Sequence, residues 1–172
     1  LKIPSMSDAQ IWQHVTFQVA PGADLDGKGW VAVLAHMSNW ELLIWLSRLF
    51  PQHRFGAIYQ KLANRRVDAH FNRSRAALGI TLFDRKEGFW DAVAFLESGG
   101  VVGVLADQYA GDSGTWMPFF GRLTSTTTLP AALARRVDTG IVPISITTTG
   151  TARWQVVVGN PLDAVGSPEA AT

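Results

Sequence analysis

His36 is followed five positions later by Glu41, in His36-Met37-Ser38-Asn39-Trp40-Glu41. An imidazole with a carboxylate partner is the pairing that general-base catalysis uses. The carboxylate orients the ring, and the ring takes a proton from a hydroxyl whose oxygen then attacks an acyl carbonyl. Four histidines and 14 acidic residues among 172 make the spacing common by chance. Glu41 also has a purely structural reading. Ser38-x-x-Glu41 ahead of an apolar run fits a capping box, with Ser38 as N-cap and Glu41 as its partner. The spacing alone leaves both readings open.

Asp107 directly follows the apolar run at 101–106 and opens a long connection. It reads either as an Asx-type turn starter or as an acid that fixes an arginine or a polar substrate group. Arg73 and Arg75 lie two apart on an expected helix, so at most one of them should face a site. A guanidinium there could bind a phosphate or steady an oxyanion; the alternative is a solvated helix face. Arg85-Lys86 follows an expected strand at 80–83 and is a candidate for an anionic carrier or headgroup. His14, His53 and His70 read as structural or surface residues. The chain has no G-x-S-x-G elbow, Walker loop or G-x-G-x-x-G. No His/Asp/Glu cluster has metal-ligand spacing, so no metal and no cofactor is expected. No nucleophilic Ser or Cys arrangement stands out, which favours direct attack by a substrate hydroxyl.

These residues need a scaffold, and the hydropathy pattern supplies one. Strands are expected over 11–19, 30–35, 55–59, 80–83, 101–106, 141–147 and 153–158, the last antiparallel through a turn at Gly150. Helices are expected over 39–50, 67–78, 89–96 and 129–137, with turn-rich links at 21–29 and 108–128. The link at 108–128 is broken by an apolar stretch at 116–120, and connections of that length are usually functional or disordered. Strands alternating with helices imply one α/β domain over 1–172, a mixed and mostly parallel central sheet flanked by helices. Ligands in such sheets gather at the carboxyl ends of strands, where His36 and Asp107 both fall.

Composition narrows the class. At 47% hydrophobic and 17% charged, the chain has the makings of one well-filled core. A net charge of +1 gives no general pull toward nucleic acid, and none is expected as a partner. The absence of cysteine excludes disulfides and thiolate metal sites and fits a reducing compartment. No apolar run is long enough to cross a bilayer. Seven tryptophans are scattered along the chain, most expected in the core or a pocket wall and a few at a lipid interface. The chain begins at Leu1 and closes in small and polar residues at 166–172, which suggests a fragment.

Taken together, three blocks resemble the bacterial lipid A late acyltransferases, the lauroyl/myristoyl family within the wider H-x4-D/E superfamily. The first is Ala35-His36-Met37-Ser38-Asn39-Trp40-Glu41, similar to that family's His-x-Gly-Asn-Trp-Glu box. The second is Asn72-Arg73-Ser74-Arg75 with Leu82-Phe83-Asp84-Arg85-Lys86. The third and most specific runs from Gly99-Gly100 through Asp107-Gln108, Pro118-Phe119-Phe120-Gly121-Arg122 and Thr126-Thr127-Thr128 to Val142-Pro143. Order and spacing agree across roughly 27–161. Ser38 stands where the family usually has glycine. The family's amino-terminal membrane helix and carboxyl-terminal segment are expected to lie outside this sequence, as in a fragment.

The resemblance implies a glycerolipid-acyltransferase-like fold. It implies transfer of a fatty acyl chain from acyl carrier protein, or coenzyme A, to a hydroxyl of lipid A precursor or a similar membrane glycolipid. His36 would be the general base and Glu41 its orienting, polarising acid. Arg75, preferred over Arg73, would complete the site with Asp107, and Asn39, Arg85 and Thr127 would contact substrate. The Phe119-Phe120 loop would line the acyl or headgroup pocket. The implied place is a membrane surface, at the cytoplasmic face of the bacterial inner membrane. Acylation of a phosphatidylinositol mannoside, thioester hydrolysis and an inactive lipid-binding module are the rival readings.

Overall fold

The computed structural model describes residues 6–23 and 29–162. The segments at 1–5, 24–28 and 163–172 lie outside it, and with them most of the 21–29 link and the 166–172 stretch.

Ser7 and Gln10 close a capping box. The Gln10 N–H donates to Ser7 Oγ at 3.3 Å and the Ser7 N–H to Gln10 Oε1 at 2.8 Å. This starts helix α1 (Asp8–Trp12), so strand β1 covers only Val15–Val19. The strand expected over 11–19 is shortened because the cap satisfies backbone donors that then favour a helical turn.

Strand β2 (Trp30–Leu34) leads to a 3-10 helix (Trp40–Trp45) and one α-turn, α2 (Leu46–Leu49). The single α-helix expected over 39–50 is therefore not formed. Its apolar residues suit three per turn instead: Leu42 and Trp45 enter the core, while Trp40, Leu43 and Leu46 line an adjoining groove. Then follow β3 (Phe55–Tyr59), α3 (Arg65–Ala77), β4 (Ile80–Asp84), α4 (Phe89–Glu97) and β5 (Val101–Leu105). The long connection contains a hairpin, β6 (Thr115–Phe119) and β7 (Arg122–Thr126). Helix α5 (Leu129–Arg136) and strands β8 (Ile141–Gly150) and β9 (Arg153–Val158) complete the described chain.

Seven strands form one sheet in the order β1-β9-β8-β2-β5-β3-β4. All neighbours are parallel except β8 and β9, which pair antiparallel. Alternating residues of the central strands feed two cores. Val31, Val102 and Val104 pack against Ala92, Val93 and Leu96 of α4 and Leu133 of α5. Trp30, Ala32, Phe55 and Val101 face the other way, toward Ile11, Leu42 and Trp45. The fold is a mixed α/β domain with a mostly parallel sheet between helical layers. Helix α3, at 13 residues, is the longest of the described helices. Asn64 caps it, its Oδ1 accepting from the Arg66 and Val67 N–H groups, yet none of its residues is buried.

Candidate active site

Leu34 and Leu105 are register partners on the adjacent parallel strands β2 and β5. His36 and Asp107 each lie two residues beyond that pair, at the carboxyl ends of the strands. The Ala106 N–H donates to Leu34 O at 3.0 Å and keeps the two chain ends together. His36 Nδ1 is 2.7 Å from Asp107 Oδ1, and the His36 backbone N–H donates to Asp107 Oδ2 at 2.8 Å. A carboxylate only accepts, so Nδ1 carries the proton and Nε2 is left with its lone pair. Among the described residues Nε2 has no hydrogen-bond partner. Trp40 packs edge-on against the ring, centroid to centroid 5.2 Å.

Partial burial works against the Asp107 carboxylate. The hydrogen bonds from the His36 ring and the His36 backbone outweigh it, and its pKa lies below the ordinary value. Asp107 is thus an ionised acceptor at neutral pH.

Glu41 does not reach His36 by a hydrogen bond. Its Oε1 accepts from Arg75 at 2.8 Å instead. The expected His36–Glu41 bond fails because Ser38 turns the chain between them. Ser38 holds a left-handed φ of 51°, and its Oγ meets Thr148 Oγ1 at 2.7 Å. The capping box also fails. Asn39, not Ser38, is the N-cap, and no side chain bonds the helix start. Glu41 then emerges in the first 3-10 turn, facing α3 and its guanidinium.

His36, Glu41 and Arg75 line a groove of about 680 Å³, within the usual range for small-molecule sites. Its floor is a row of small residues in register, Ala32, Gly103 and Ala57 on β2, β5 and β3. A Cβ on Gly103 would come within 3.3 Å of Leu34 Cδ1. Leu34, Leu43, Ile44 and Phe55 make much of the wall apolar. Arg85 and Thr127 also line it, and Arg85 Nη1 reaches Gln60 Oε1 at 3.5 Å. The Thr127 hydroxyl accepts from the Leu129 N–H at 3.3 Å.

Arg73 is exposed and does not line the groove, and neither does Asn39. Asn39 contributes its carbonyl to the Leu42 N–H at 2.9 Å. Phe119 and Phe120 also stay out of the groove, exposed on the β6–β7 hairpin. Asp68, Phe71 and Asn72 also line the groove, and of these only Asn72 falls in a family-like block; Asn72 Nδ2 donates to Asp68 Oδ2 at 3.0 Å. Their signal was available: with Arg75 they sit at i, i+3, i+4 and i+7, one face of a helix. Among the described residues no group of three or more His, Asp or Glu could hold a metal ion. No helix among them is long and apolar enough to cross a membrane.

The arrangement of the sheet and its helical layers recurs in a solved structure. The 1-acyl-sn-glycerophosphate (LPA) acyltransferase PlsC of Thermotoga maritima shares it, with a TM-score of 0.52 at 16% identity over 94% of this chain and 68% of that one. No curated protein matches the sequence significantly. The model of the bacterial lipid A biosynthesis acyltransferase family matches residues 4–169, and the chain belongs to that family.

Proposed function

We propose that this acyltransferase moves a fatty acyl chain from a thioester of acyl carrier protein, or coenzyme A, to a hydroxyl of lipid A precursor or a similar membrane glycolipid. In this reading His36 is the general base. Its Nε2 takes the proton of the acceptor hydroxyl as the oxygen attacks the thioester carbonyl. The tetrahedral intermediate collapses, the carbon–sulfur bond breaks, and the thiolate recovers the proton from the imidazolium. The products are the acyl ester and the free carrier thiol. Asp107 holds the ring in the required tautomer and stabilises its positive form. Glu41 is a positioning residue that holds Arg75, whose guanidinium serves a phosphate of the acceptor or the developing oxyanion. Arg85 and Thr127 contact substrate at the groove wall. The reaction belongs at the cytoplasmic face of the bacterial inner membrane, where such acceptors meet soluble thioesters.

The observation that carries this reading is the His36–Asp107 pair beside an apolar groove. The test incubates the purified protein with acyl-carrier-protein thioester and several glycolipid acceptors, with mass spectrometry of the lipids. An acylated acceptor is expected, and its loss in His36→Ala. Release of free fatty acid alone, or equal transfer by His36→Ala, would overturn the reading.

A further inference from the structure

Strands β6 and β7 pair only with each other and form a ribbon outside the main sheet. Phe119 and Arg122 are the last register partners, so Phe120-Gly121 is a two-residue turn. Both turn residues have positive φ, 47° and 75°, the geometry that favours Asn or Gly at the first position. Phenylalanine occupies that position and is 92% exposed. The local backbone does not ask for an aromatic there.

The apolar surface wraps the whole tip. Alternation along the ribbon puts Phe119 and Met117 on one face and Leu123 and Trp116 on the other, and all four are at least half exposed. A flat protein partner would cover one face and leave the other in water. A stable protein interface also draws on roughly 20–30 residues a side, against the five apolar side chains offered here. An apolar liquid covers both faces at once. Arg122 beside the turn is the hairpin's only charged residue, and no acidic residue lies between Asp112 and Asp138. Aromatic rings next to a lone arginine complement the boundary of an anionic bilayer.

The root of the ribbon is fixed. Ser125, fully buried, donates through Oγ to Gly111 O at 2.6 Å, and the Ala110 N–H donates to Ser125 O at 3.1 Å. The chain enters the hairpin after Gln108 and leaves it through Thr127, and both residues line the groove. We propose that the β6–β7 hairpin is a lipid-inserting finger that enters the interfacial region of an anionic membrane and holds the groove mouth against it. The inference rests on the reading that the acceptor is a membrane glycolipid, and it names the element that reaches that membrane.

The chain contains no cysteine, so Phe120→Cys creates a single thiol for an environment-sensitive fluorophore. The probe is a vesicle of phosphatidylglycerol and phosphatidylethanolamine, with phosphatidylcholine vesicles for comparison. Expected are a blue shift and quenching by nitroxide lipids on anionic vesicles, weaker on neutral ones. The double substitution Phe119→Ser/Phe120→Ser should weaken vesicle flotation at least about tenfold, as the loss of two buried aromatic rings predicts. Val19→Ser, an exposed apolar residue on β1, should leave flotation unchanged. A label that stays in water while the protein floats overturns the proposal. So does a double variant that floats like wild type, or one that only disperses a dimer while wild type ignores vesicles. Flotation needs no thioester. Insertion without acyl transfer would sink the acceptor reading alone, and transfer without insertion would sink the finger alone.

Discussion

Asp107 binds His36 at two points: Oδ1 takes the ring Nδ1–H at 2.7 Å, and Oδ2 takes the backbone N–H of the same residue at 2.8 Å. One carboxylate therefore sets both where the residue sits and which nitrogen of its ring stays basic.

Asp107→Asn replaces one acceptor oxygen by a donor, so one of the two contacts becomes repulsive. We predict a fall in kcat of roughly 100- to 10 000-fold, with a small change in KM. Glu41→Gln should cost less than about tenfold in kcat and act mainly on KM, through Arg75. Steady-state transfer kinetics separate the two. Equal kcat losses would make Glu41 the orienting acid after all.

The lowered pKa of Asp107 also links the site to stability. A carboxyl whose folded pKa is depressed binds fewer protons in the native state. Its contribution is complete above the unfolded value, about 3.9, and is lost as pH falls through the lower folded value. Urea unfolding from pH 7 to pH 2.5 should show wild type losing its advantage over Asp107→Asn only below about pH 4. A gap that is unchanged down to pH 2.5 would show that Asp107 titrates normally.

Ser38 combines an unfavourable left-handed φ with a hydrogen bond to Thr148. Glycine removes the backbone cost and the bond together, terms of about 1 kcal/mol each, so Ser38→Gly should stay within about 0.5 kcal/mol of wild type. Ser38→Ala keeps the backbone cost and loses the bond, so it should destabilise by about 1 kcal/mol. Chemical denaturation of the two variants checks the order. A less stable glycine variant would refute this account of the turn.

The floor of Ala32, Gly103 and Ala57 makes the groove deep by omission of side chains. Ala57→Leu should fill it and penalise the longest acyl chain accepted by at least about tenfold in kcat/KM, while a shorter chain is spared. Competition between thioesters of different length measures the shift. Uniform loss across lengths would place the chain elsewhere.

Much of the scaffold was legible because buried parallel strands are short apolar runs between turn residues, as in Trp30–Leu34 and Val101–Leu105. His36 and Asp107 could be placed at strand ends for the same reason. Their contact could not be read, because strand order is a tertiary property: His36 and Asp107 lie 71 residues apart in sequence, but β2 and β5 are adjacent in the sheet. Glu41 misled for the converse reason. Nearness in sequence suggested a partner, and one left-handed residue, Ser38, redirected the chain. The hairpin hid inside a Gly- and Thr-rich stretch because its strands are exposed along most of their length and lack the usual buried alternation.

Helix α3 walls the groove with one face and buries nothing of its own. A groove wall with no buried residue is the kind of segment whose amides exchange by local opening below the global unfolding free energy. On the acyl-transfer reading, a long alkyl chain entering from the side of α3 would have to break the Glu41–Arg75 bond, the ion pair that ties this helix to the 3-10 turn beside His36.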